Sequence, residues 1–106
     1  MNDYYTEGDY IIIGDINGGS GYDWEIIGVV YHPERDAYFL YTDAGCSCNF
    51  PYDAWNGDWH PGSEPVSQQE VIRRLYNLRT DYGNYRVEDF NDLAQKIREF
   101  DPLTLN

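Results

Sequence analysis

Trp24-Glu25-Ile26-Ile27-Gly28-Val29-Val30-Tyr31 is apolar at nearly every position, and it constrains the fold more than any other stretch. A strand with one wet face alternates apolar and polar residues, whereas a run without that alternation fits a strand covered on both faces. The segment therefore reads as the middle of a sheet. Tyr10-Ile11-Ile12-Ile13 is a β-branched run ended by Gly14 and predicts a second, short strand. Gly14 to Gly21 reads as a glycine-dense loop. His32-Pro33-Glu34-Arg35-Asp36 carries the proline and aspartate of a turn, and Ala37 to Asp43 returns as an aromatic strand. The two strands predict a hairpin with a loop of about five residues.

The last third changes period. Ser67-Gln68-Gln69-Glu70 has the pattern of a capping box, in which the serine hydroxyl accepts from the Glu70 amide and the glutamate reaches back to the Ser67 amide. Val71, Ile72, Leu75 and Leu78 then share one helical face. A second helix starts near Val87, with Val87, Phe90, Leu93, Ala94, Ile97 and Phe100 as its apolar stripe and Pro102 beyond its end. Glu88, Asp89 and Asp92 stand at its positive end, Lys96 and Arg98 at its negative end, as the helix dipole favours. The expected fold class is α+β: a small antiparallel sheet of three or four strands followed by a C-terminal helix hairpin packed on it. With 106 residues in all, residues 1–106 read as a single domain, an acidic β-rich part (1–66) followed by a two-helix part (67–106).

Charge divides the chain at the same place. The formal net charge is -12, and residues 1–66 hold twelve Asp and Glu against Arg35 alone, whereas residues 67–106 hold seven acids against six Lys and Arg. Such a surface repels phosphates, so direct nucleic-acid binding is excluded by expectation and a basic protein partner is allowed. No stretch approaches the roughly 18 apolar residues of a membrane span, and MNDYYTEGDY lacks the basic start and apolar run of a signal peptide. The expectation is a soluble, cytoplasmic protein without a membrane partner.

The stretch from Ala44 to Pro65 holds most of the remaining chemistry. Tyr41-Thr42-Asp43-Ala44-Gly45-Cys46-Ser47-Cys48, preceded by Val29-Val30-Tyr31 and Tyr38-Phe39 and followed by Pro51-Tyr52-Asp53, resembles a family of small proteins of actinobacterial tailed phages, in which an aromatic hairpin leads into Asp-x-Gly-Cys-Ser-Cys. The resemblance spans roughly residues 22–55, and Asn49 departs from it where a proline is expected. It implies an accessory phage product made in the host-cell cytoplasm, and it brings no activity with it.

Zinc is the sharpest chemical alternative, since His32, Cys46, Cys48 and His60 supply two thiolates and two imidazoles for a tetrahedral site. Their spacing is not that of a structural zinc motif, and buried reduced cysteines at a strand end explain the thiols as well. A disulfide across one intervening residue closes a small, labile ring. Asp15-Ile16-Asn17 begins like a calcium loop but has Ile26 where the closing glutamate belongs. The glycine loop has no lysine after it in the phosphate-binding pattern. No catalytic motif is present, so no enzyme and no cofactor are expected.

A binding module is the reading that remains. Tyr52, Trp55, Asp58 and Trp59 lie in one segment without helical or strand period, and large aromatics of this kind anchor protein interfaces. Trp55 is expected in the core and Trp59 at the surface. The expected function is a non-enzymatic accessory protein that binds a host or phage protein, with a nucleic-acid-binding surface engaged by charge mimicry as one form of it.

Overall fold

The computed structural model describes residues 5–18, 23–46, 63–78 and 85–104. In order it runs β1 (Tyr5–Glu7), β2 (Tyr10–Asn17), β3 (Asp23–His32), β4 (Ala37–Cys46), α1 (Gln68–Leu78) and α2 (Val87–Glu99), with a 3-10 turn at Pro102–Thr104. The four strands form one antiparallel sheet in sequence order. Three are long, and β1 contributes three residues. The α+β architecture read from the sequence is the one observed, with α2 packed over β2, α1 over β4, and the helices against each other. Among the described residues, no helix is long and apolar enough to cross a membrane.

β3 lies between β2 and β4, and Ile26 to His32 are all buried, so the unbroken apolar run is indeed a strand covered on both faces. Ile27, Val29 and Tyr31 face the helices, in one cluster with Ile11, Ile13, Val71, Leu75, Phe90, Leu93, Ala94, Ile97 and Phe100. Ile26 and Val30 point the opposite way, into a second cluster with Tyr10, Ile12, Ala37, Phe39 and Tyr41. Gly28 sits in that second face directly across from Tyr41, whose ring lies where a Cβ on Gly28 would be. The aromatic covers the glycine backbone and fills the space its missing side chain leaves.

The glycine-dense loop begins later than the sequence suggests. β2 continues through Gly14, Asp15 and Ile16 to Asn17, paired with β3 as far as Ile26. The register shifts between Ile12 and Gly14, so Ile13 is an extra residue opposite β3, a β-bulge that bends the strand locally. The β-branched run of the sequence ends at Gly14, but the strand does not. Here the glycine admits α2: a Cβ at Gly14 would stand 3.1 Å from Leu93 Cδ1 and 3.1 Å from Lys96 Cδ. β1 left no signal, because Tyr5-Thr6-Glu7 is too short for a period. Its turn to β2 uses Gly8, whose φ of 59° lies in the left-handed region, where glycine carries no Cβ penalty.

Both helices lie where the periodicity puts them. Val71, Leu75, Phe90, Leu93, Ala94, Ile97 and Phe100 are buried, but Val87, assigned to the apolar stripe, is 42% exposed. It is the first residue of α2, one turn ahead of the first stripe position that meets the sheet, Phe90. The capping box at α1 is half formed. The Glu70 amide donates to Ser67 Oγ at 3.2 Å, while the Glu70 carboxylate turns to the guanidinium groups of Arg73 and Arg74. Those hydrogen bonds, Arg73's the larger influence, push its pKa down to about 2, so the carboxylate stays charged through any physiological acidity. α2 is started by the Asp89 carboxylate, which accepts from the Arg86 amide at 3.3 Å.

Candidate functional site: an acid-lined cleft and a clipped turn

Where β2 runs past the end of β1, its last residues meet α2 and leave a cleft of about 290 Å³, lined by Asp15, Ile16, Asn17, Asp89, Asp92, Leu93 and Lys96. Asp89 and Asp92 against Lys96 give its helix wall a net negative charge, while Asp15 and Asn17 border it from the opposite face of β2. Gly14 brings the helix close enough for the cleft to exist, and the Lys96 stem lies along that glycine. Asp89 is partly engaged by Arg86, at 3.7 Å between Asp89 Oδ1 and the guanidinium. Ile16 and Leu93 supply an apolar floor. The arrangement suits a cationic side chain whose aliphatic stem rests on that floor. Asp89 and Asp92 stand at helical spacing with Lys96 one turn on, a pattern visible in sequence. The β2 side of the cleft is not visible in sequence, because it needs the packing of two elements about 70 residues apart in the chain.

The other concentration of polar chemistry is the β3 to β4 turn, residues 33–36. His32 is a buried polar residue, 9% exposed, with its ring edge-on to Tyr10 at 5.0 Å. The Arg35 amide donates to His32 Nδ1 at 3.2 Å; since an amide only donates, Nδ1 carries the lone pair. The Arg35 guanidinium lies over Phe39, 5.2 Å from the ring centroid. Asp36, at φ 49°, accepts from the Tyr31 hydroxyl at 2.5 Å. Burial, then the Asp36 hydrogen bond and charge, push the Tyr31 phenol up to about 12.

That coupling gives a titration with a definite sign. Because the folded value lies above the ordinary 10, its stabilising contribution is whole below pH 10 and is lost as pH climbs to about 12. The Tyr31 ring, followed by NMR, should ionise near pH 12 in the native protein, and earlier in Asp36→Asn, where the charged acceptor is gone. Asparagine tolerates the left-handed conformation at 36, so the turn itself should persist. An unchanged midpoint in the variant would leave burial as the whole cause.

Of the residues singled out from sequence, Tyr52, Trp55, Asp58, Trp59, Cys48 and His60 lie outside the described residues. His32 and Cys46 are placed, and the structure does not bring them together. His32 pairs with Ala37 at the turn end of the hairpin, and Cys46 pairs with Asp23 at the other end, nine residues along β4. At a rise of about 3.3 Å per residue they are roughly 30 Å apart, whereas two donors on one zinc ion are separated by only about 4 Å. His32 and Cys46 are therefore too far apart along the hairpin to share one ion. Among the described residues, no three His, Cys, Asp or Glu side chains are grouped to hold a metal. Asp15 and Asn17, the start of the weak calcium pattern, are strand residues.

No curated protein and no solved structure matches the chain. The sheet, the helix pair and the Asp-x-Gly-Cys-Ser-Cys segment fall within residues 1–101, which match a family model described as a domain of unknown function (DUF7574), and the chain belongs to that family.

Proposed function

We propose that this protein is a non-enzymatic accessory protein of a tailed phage that binds a basic protein surface in the host-cell cytoplasm. The observation that carries the reading is the distribution of charge. The net charge is -12, with twelve acids against one Arg in residues 1–66, and the cleft that the fold builds between β2 and α2 repeats that sign. A basic surface is what such a field attracts, and complementary charge raises the encounter rate and rejects like-charged partners. A nucleic-acid-binding protein, whose own surface evolved for phosphate, is the most basic class of target. The phage context rests on the resemblance of Asp43 to Cys48. The candidate binding residues, Tyr52, Trp55, Asp58 and Trp59, come from the sequence, with Trp59 as the surface anchor and Trp55 as the core member of the segment.

The reading is tested by capturing partners from host lysate, identifying them, and measuring association of the purified pair against salt. The partner should be basic, and its association rate should fall steeply as the Debye length shrinks from about 10 Å to about 3 Å. Trp59→Ala should weaken binding by about 2 kcal/mol or more with no change in melting temperature. Association indifferent to salt would remove charge from the account.

A further inference from the structure

We infer that the outer edge of β4, at Thr42 to Ala44, is a docking strand for an extended, basic segment of the partner. This rests on the reading above and names the surface that serves it. Tyr38 exchanges two backbone hydrogen bonds with Val66, each 2.9 Å, so the amide and carbonyl of Tyr38 point away from β3. The β3 to β4 register runs from His32 and Ala37 to Asp23 and Cys46 without a shift. Alternate residues of β4 therefore point the same way as Tyr38: Leu40, Thr42 and Ala44. The Leu40 carbonyl bears this out, since Ser63 Oγ donates to it at 2.6 Å. Residues 63–66 thus occupy the first half of the edge. Thr42 and Ala44 are exposed in the second half, and among the described residues no strand pairs with them.

An open edge with outward amides and carbonyls is a template for another strand, and proteins that keep such edges usually blunt them. This one is blunted selectively. The outward amide of Ala44 donates to Asp43 Oδ1 at 2.9 Å. A neutral or acidic strand meets a plugged donor and a carboxylate beside it. A strand carrying Lys or Arg next to that position gives Asp43 a cation to turn to and releases the Ala44 amide for pairing. Glu64, 3.7 Å from the Arg74 guanidinium and with its side chain 79% exposed, lies near the same edge, its charge partly offset by that pair. Glu25 stands opposite Ala44 on β3. A second copy of this chain is ill suited as occupant, because each copy carries -12 and like charges across a new strand pair repel.

The test uses the full chain and a synthetic peptide of alternating Lys and Val, followed by amide NMR at low salt. The peptide should shift the Thr42 and Ala44 amides. A version N-methylated at alternate residues, which keeps its charge but cannot pair, should bind at least tenfold more weakly, as should an alternating Glu and Val peptide. Thr42→Pro, which removes an outward amide and leaves the β3 ladder its hydrogen bonds, should abolish the shifts. Should that variant fold poorly, the N-methylated peptide carries the same comparison on the unaltered protein. Shifts confined to the β2 to α2 cleft, or equal binding by the N-methylated peptide, would overturn the edge assignment while leaving the acidic reading intact. No binding of the basic peptide anywhere would overturn both.

Discussion

Phe90→Ala will lower stability by about 3 to 5 kcal/mol. Phe90 is fully buried at the point where α2 meets the sheet. Its ring meets Tyr85 edge-on at 5.7 Å, and Tyr85 in turn donates to the Glu25 carbonyl at 2.7 Å. Truncation removes the apolar contacts and leaves a cavity between elements that neighbouring backbones hold apart. For a domain near this size each kcal/mol shifts the melting temperature by about 4 to 8 °C, so a calorimetric scan should show a fall of more than about 10 °C. A fall of only a few degrees would mean that α2 closes down into the space and that the helix is less firmly seated than its burial indicates.

The second large effect comes from adding a single methyl group. Gly28→Ala puts a Cβ into the Tyr41 ring, and that ring is 3% exposed, hemmed in by the buried cluster on its face of the sheet. Over-packing of this kind costs about 1 to 3 kcal/mol. The cost should depend on Tyr41. In a Tyr41→Ala background the same substitution should cost much less, because the obstacle is gone, and the difference measures the coupling of the pair. Urea denaturation of the four proteins decides it. An equal cost in both backgrounds would place the strain in the β3 backbone rather than in the cross-strand contact.

These two sites also show what the sequence makes legible. Phe90 could be placed in the core by counting, because a helix repeats its buried face every three or four residues, and Leu93, Ala94, Ile97 and Phe100 continue the count. The apolar run around Gly28 announced a strand buried on both faces by its lack of alternation. That Gly28 needs to be glycine could not be read, since the reason is a ring on another strand. The same limit explains the errors. Gly14, Asp15 and Asn17 have the composition of a loop, and only the approach of α2 and pairing with β3 make them a strand. Val87 satisfies the helical count but stands beyond the sheet, a boundary that periodicity does not contain. The cleft joins side chains from β2 and α2, so no local window holds it. Of the anchors and ligands chosen from sequence, those described are His32 and Cys46, and the strand between them sets them at opposite ends. A count of zinc ligands contains no distances, and the separation of His32 from Cys46 along the hairpin is one that it does not show.

The bulge at Ile13 makes β2 a strand written in two phases. Up to Ile13 the odd-numbered residues look toward the helices; from Gly14 onward the even-numbered ones do, which is how Ile16 comes to pack against the helix-side core while Asp15 and Asn17 are exposed. The extra residue works as a frame shift in three dimensions. Deleting it would turn every side chain after it to the opposite face, bringing Asp15 and Asn17 toward α2 and turning Ile16 away. A one-residue deletion in this strand is therefore a more drastic edit than a polar substitution at any one of these positions, and a matching insertion a few residues later would restore the outside and inside of everything downstream. Which β2 side chains the cleft meets is in this sense a property of the strand's length as much as of its composition.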